Sequence, residues 1–86
     1  MTLPADIRFH YRDGCHLCEE MAAALFRHWP AVAEAMTWVE VDALPELAQR
    51  YGDEVPVLCV GEETVCRHAL DTGAVARYFG EPVNPV

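Results

Sequence analysis

The chain has 86 residues, enough for one domain and no more. Its formal charge is −8, from 14 acids against 6 bases, and every base is Arg; such a chain repels phosphate backbones and anionic lipid, so neither a nucleic acid nor a membrane partner is expected. Hydrophobic residues make up 52%, which argues for a packed core, and no apolar run approaches the ~18–20 residues that span a bilayer.

The elements follow in chain order. Ile7-Arg8-Phe9-His10-Tyr11 alternates and carries β-formers, so it reads as a first strand, broken by Arg12-Asp13-Gly14. From Cys15 to about His28 the pattern turns helical. Two stripes recur at helical spacing: Leu17, Met21, Leu25, His28, and Cys18, Ala22, Leu25, Trp29. Pro30 ends or kinks this helix, and Ala31 to Met36 continue it as a further turn. Thr37-Trp38-Val39-Glu40-Val41 is a second strand, and Pro45 opens a short helix running to Tyr51 with Gly52 as its stop. Val57-Leu58-Cys59-Val60 is a continuous apolar run, as in a strand buried on both faces. A hairpin turn at Gly61-Glu62-Glu63 returns it as Thr64-Val65-Cys66-Arg67. Asp71 or Thr72 caps a last helix ending at Phe79, with Gly80 beyond, and Glu81 to Val86 reads as a loose tail. The order β-α-β-α-β-β-α predicts an α/β fold: one mixed four-stranded sheet with helices on both faces.

The cysteines fall at 15, 18, 59 and 66. The start of the chain lacks a basic region followed by an apolar stretch, so no secretory signal is visible and a cytoplasmic location with reduced thiols is expected. Cys15 and Cys18 then read as redox or metal chemistry. Two thiols three positions apart at a helix start can form a disulfide with each other and exchange it with a partner. The exposed N–H groups and dipole of the helix N-terminus favour the thiolate of Cys15, which makes it the candidate nucleophile. Cys18, one turn in and on the buried side, is the candidate resolving thiol. His16 lies between them and could favour the thiolate as an imidazolium, or simply face solvent. Arg12 could lend positive charge or hold an anionic substrate end, or be a plain surface Arg. Glu19 and Glu20 suit the first helical turn but oppose a nearby thiolate.

The element order, a Cys-x-x-Cys after the first strand and Val55-Pro56 before the third together resemble the thioredoxin-like fold. Tyr11-Arg12-Asp13-Gly14-Cys15-His16-Leu17-Cys18-Glu19, Val41-Asp42-Ala43, Arg50-Tyr51-Gly52, Val55-Pro56-Val57-Leu58 and Leu70-Asp71 are similar to the small bacterial glutaredoxin-like proteins, from about residue 6 to about residue 80. The resemblance implies a single glutaredoxin-like domain over 1–86 and a thiol–disulfide oxidoreductase. It also implies a cis peptide at Pro56, with Pro56 beside Cys15 and the backbone of Val55 offering hydrogen bonds to an extended substrate. The implied partner is a disulfide-bearing protein or a glutathione-type thiol, with no resident cofactor and a monomeric chain.

Some family features are replaced. Leu17 stands where glutaredoxins carry Pro within the motif, no Trp precedes it, no Lys precedes it to meet a glutathione carboxylate, and Cys66-Arg67-His68-Ala69-Leu70-Asp71 lacks the Gly-Gly turn near the γ-glutamyl end. Asp71 matches the acidic helix-start position. Other readings therefore stay open. One is a non-catalytic adaptor that binds a partner in its groove. Another is zinc on Cys15 and Cys18 with Cys59 and Cys66, or with His16 or His68. A third is an iron–sulfur cluster shared between two copies. Against zinc, Cys59 sits in the most apolar strand, where packing is its simplest role, and Cys66 ends an outer strand. His10 and His28 read as structural or surface residues, and Trp29, Trp38, Tyr78 and Phe79 as core or rim aromatics.

Overall fold

Alternation along Ile7–Tyr11 (β1) decides the layering. Ile7 and Phe9 are buried on one face of the sheet and His10 on the other, while Arg8 reaches solvent. The computed structural model describes residues 3–4 and 6–85. After β1 come α1 (His16–His28), α2 (Pro30–Ala35), β2 (Thr37–Glu40), a single 3₁₀ turn (Val41–Ala43), α3 (Pro45–Tyr51), β3 (Val57–Val60), β4 (Glu63–Arg67) and α4 (Thr72–Phe79). The sheet has the order β2-β1-β3-β4; β1 pairs parallel with β2 and antiparallel with β3, and β3 pairs antiparallel with β4. The mixed four-stranded sheet expected from the sequence is the one observed.

The main core lies on one face. Ile7, Phe9 and Leu58 from the sheet meet Met21 and Leu25 of α1, Val32 and Ala33 of α2, and Val75 and Phe79 of α4. Full burial of a Leu, Val or Phe side chain contributes about 1.5–3 kcal/mol, so Phe9, Leu25, Leu58 and Val75, all completely enclosed, carry much of the fold. Of the two helical stripes in α1, the structure buries Cys18, Met21, Ala22, Leu25 and Trp29. Leu17, in the first turn of α1, is 48% exposed. The opposite face is thinly covered. Tyr51 at the end of α3 stacks on His10 at 4.1 Å, and Val41 is enclosed, but α3 itself has no fully buried residue.

Pro30 does more than kink α1. It occupies the first position of a separate helix, α2, where its missing N–H costs nothing. The segment after α4 is not loose. Val83 donates its N–H to the His28 carbonyl (2.8 Å), Asn84 donates its amide to the Arg27 carbonyl (2.8 Å), and Trp29 Nε1 donates to the Gly80 carbonyl (2.8 Å). The last carbonyls of a helix lack intrahelical partners, and here the C-terminal segment supplies them. No helix among the described residues is long and apolar enough to cross a membrane.

Candidate active site

The turn after β1 places the cysteine pair. Cys15 donates its N–H to the Arg12 carbonyl (3.2 Å), closing a four-residue turn whose third residue, Gly14, sits at φ 73°. A Cβ at that dihedral would strain the backbone, so glycine is the natural occupant. The chain then enters α1 with Cys15 as its N-cap, in extended conformation (φ −85°, ψ 109°). N-caps are usually oxygen acceptors; here the Cys15 sulfur takes that place and accepts the N–H of Cys18 at 3.1 Å. Cys15 and Cys18 are joined by a disulfide with Cα atoms 5.2 Å apart. Cys15 is half-buried and Cys18 is 3% exposed, so an incoming group meets the Cys15 sulfur first.

The other sequence-derived candidates fall in different places. His16 is turned to Glu20, one helical turn on, with Nε2 3.3 Å from Oε1, and is fully on the solvent side. Arg12 is committed elsewhere: Nε donates to Asp42 Oδ2 (2.8 Å), Nη2 to Asp42 Oδ1 (3.1 Å) and Nη1 to the Gly52 carbonyl (3.1 Å). The guanidinium pKa is raised, first by the hydrogen bond to Asp42 and then by its charge. This tie joins the loop before Cys15 to the turn after β2 and to the end of α3. It also needs glycine at 52, since a Cβ there would lie 2.8 Å from Arg12 Nη2 and collide with the Ala48 carbonyl.

The Val55–Pro56 peptide is cis, and Pro56 is completely buried. The Pro56 carbonyl accepts the His68 N–H (2.8 Å), and the Val55 N–H donates to the Tyr51 carbonyl (3.1 Å). That second bond amends the expectation for Val55. Its N–H closes the turn that follows α3 and is already taken. Asp71 caps α4, accepting the Ala74 N–H at 3.0 Å.

Cys59 and Cys66 are free and buried, and burial pushes both thiols up from their ordinary pKa. Among the described residues, no three or more His, Cys, Asp or Glu side chains are grouped to hold a metal ion. Cys59 lies in the middle of β3 and pairs in register with Arg8 and Thr64, whereas Cys18 lies in the core on the α1 side.

Beside the disulfide runs a groove of about 360 Å³, lined by Tyr11, Arg12, Asp13, Gly14, Cys15, Cys18, Glu19, Ala22 and Trp38. Sequence reasoning did not find this wall. Trp38 read only as a core or rim aromatic; its strand alternation puts it on the α1 side, and the edge position of β2 leaves it uncovered. The Arg12–Asp42 pair spans 30 positions and left no local signal.

The chain matches the profile of the glutaredoxin-like domain (DUF836) over residues 6–80. Among solved structures, it is similar to a protein from Nitrosomonas europaea determined by solution NMR. That match has 31% sequence identity and a TM-score of 0.69, covering 91% of this chain and 94% of the other. No curated protein gives a significant match.

Proposed function

This chain belongs to the glutaredoxin-like domain family, and from that premise we propose that it is a thiol–disulfide oxidoreductase working by dithiol exchange. The observation that carries the reading is the Cys15–Cys18 disulfide at the N-terminus of α1, with the Cys15 sulfur in the capping position and the nearer of the two to solvent.

In the reduced protein, the Cys15 thiolate attacks one sulfur of a substrate disulfide. That S–S bond breaks, its far sulfur leaves as a thiolate and takes a proton from water, and Cys15 is left in a mixed disulfide. The Cys18 thiol gives its proton to water as its sulfur attacks Cys15 Sγ. The second substrate thiolate leaves and is protonated, and the Cys15–Cys18 disulfide forms. The pair has lost two electrons and the substrate has gained them; run backwards, the same steps oxidise a dithiol. The N–H of Cys18 and the helix N-terminus stabilise negative charge on the Cys15 sulfur before attack. The partner is a disulfide-bearing protein or a glutathione-type thiol, met in the cytoplasm.

The test is a redox titration of the protein in glutathione buffers, with alkylated thiols counted by mass and mapped to residues. A reversible two-electron step confined to Cys15 and Cys18 is expected. Cys15→Ser should abolish exchange, and Cys18→Ser should accumulate the mixed disulfide on Cys15. Full exchange by Cys15→Ser refutes the assignment.

A further inference from the structure

The groove beside the disulfide has a chemistry of its own. Its floor is aromatic and pre-built. Trp38 stands edge-on to Phe9 (5.0 Å) and to Tyr11 (5.5 Å), and Phe26 of α1 lies nearly parallel to it at 6.4 Å. Phe26 and Trp38 are each 46% exposed. Exposed aromatics held in place by neighbours offer apolar contact area at little cost in side-chain freedom. The shelf leads to the half-buried Cys15.

Its charge is one-sided. Asp13 and Glu19 line the groove, and neither is in an ion pair among the described residues. The cation on the lining is Arg12, which is held by Asp42 and the Gly52 carbonyl. What faces an incoming ligand is thus aromatic surface flanked by carboxylates, in a chain of charge −8. Glutathione brings two carboxylates against one ammonium, the wrong sign for this wall. The Val55 N–H that would pair with its backbone is already bonded to Tyr51.

We propose that this groove is the specificity surface of the protein: it docks a segment of a protein substrate in which the disulfide cysteine is flanked by a basic residue and an aromatic or large aliphatic one. The basic side chain meets Glu19 and Asp13, the apolar one lies on Trp38 and Tyr11, and the disulfide comes to rest at Cys15. The proposal rests on the oxidoreductase reading and adds the class of substrate to it.

The experiment compares reduction rates, by the reduced protein, of three disulfides: a peptide disulfide carrying Arg and Phe beside the cysteine, the same peptide with Glu and Ser there, and the neutral bis(2-hydroxyethyl) disulfide. The cationic aromatic peptide should exceed the acidic one by about tenfold in kcat/KM at low salt, the size of one aromatic contact plus one exposed ion pair. The margin should narrow as salt screens the charges. Trp38→Ala and, independently, the surface variant Glu19→Gln should each reduce that ratio several-fold, with the neutral disulfide measured on the same variant as the reference. Glu19→Gln keeps the test decisive if Trp38→Ala fails to fold. Equal rates for the two peptides, or a ratio untouched by both substitutions, overturn the docking proposal while turnover of the neutral disulfide leaves the redox reading standing. Failure to reduce all three overturns the redox reading and the docking proposal with it.

Discussion

Asp71 separates two roles that one residue cannot be assigned by sequence: cap of a helix, or acidic contact for a substrate. The structure gives it the cap of α4, with Oδ1 accepting the Ala74 N–H at 3.0 Å. Replacing such a cap by Ala costs about 1 kcal/mol, within a range of roughly 0.5–2. In a domain of this size each kcal/mol lowers Tm by about 4–8 °C. The loss is local as well as global. α4 is a helix of 8 residues whose first turns bury Ala74 and Val75 in the core, in the same buried cluster as Cys66. Fraying that turn uncovers Cys66. A 1 kcal/mol lower opening free energy should therefore raise the rate of Cys66 alkylation about fivefold.

The assay pairs thermal melts with mass-resolved alkylation of oxidised protein, in which Cys59 is the internal control. Asp71→Ala should lower Tm by about 4–8 °C and speed modification of Cys66 but not of Cys59. Asp71→Asn, which retains a capping oxygen, should stay close to the parent in both. An Asp71→Ala protein with an unmoved Tm refutes the capping argument. An Asp71→Asn protein of parental stability that loses exchange activity would instead make Asp71 a substrate contact.

His10 is buried, its Nδ1–H donates to the Val57 carbonyl, and its pKa is lowered from 6.5 chiefly by desolvation. The folded state thus binds this proton less readily than the unfolded one; its contribution is intact above pH 6.5 and is lost as the pH falls below that value. Urea midpoints measured between pH 7 and 5 should fall, and His10→Gln, which keeps a donor without titrating, should flatten the slope. Leu25→Ala empties a fully enclosed site at the centre of α1 and should cost about 3–5 kcal/mol, read as a drop in urea midpoint with unchanged m. Removing residues beyond Glu81 frees the Arg27 and His28 carbonyls, and should lower Tm and speed hydrogen exchange at the end of α1; unchanged exchange there would mean that the segment does not fasten the helix.

Much of this fold was legible because its signals are local. Alternation in Ile7–Tyr11, the apolar run Val57–Val60 and the glycine at the hairpin turn each fix a strand without reference to the rest. The Cys-x-x-Cys lay where a strand gives way to a helix. What escaped is long-range. The two stripes of α1 share Leu25, and the structure buries Met21 from the first together with Cys18, Ala22 and Trp29 from the second; that Leu17 and His28 are left out depends on where the rest of the fold packs. The tail reads as polar and proline-rich, and its partners lie 56 and 57 positions away. Arg12 looked free because its acceptors, Asp42 and Gly52, are 30 and 40 positions off.

That tie takes the Arg12 charge away from the cysteine pair. A cysteine at an N-cap gains from the helix dipole and from the Cys18 N–H, and a basic residue three positions earlier would add to it if free. Arg12 is not free, and His16 is turned to Glu20. The first turn of α1 carries Glu19, a favourable dipole partner for the helix and an unfavourable neighbour for a thiolate. The backbone is therefore the main source of stabilisation for charge on Cys15, while the side chains facing the groove are net negative. In the proposed exchange, backbone N–H groups act on the Cys15 sulfur whatever the substrate. The carboxylates act on whatever the substrate brings with its disulfide. Under the proposed function, reactivity is set at the helix end and selectivity along the Trp38 wall, so each can be altered by substitution while the other is measured.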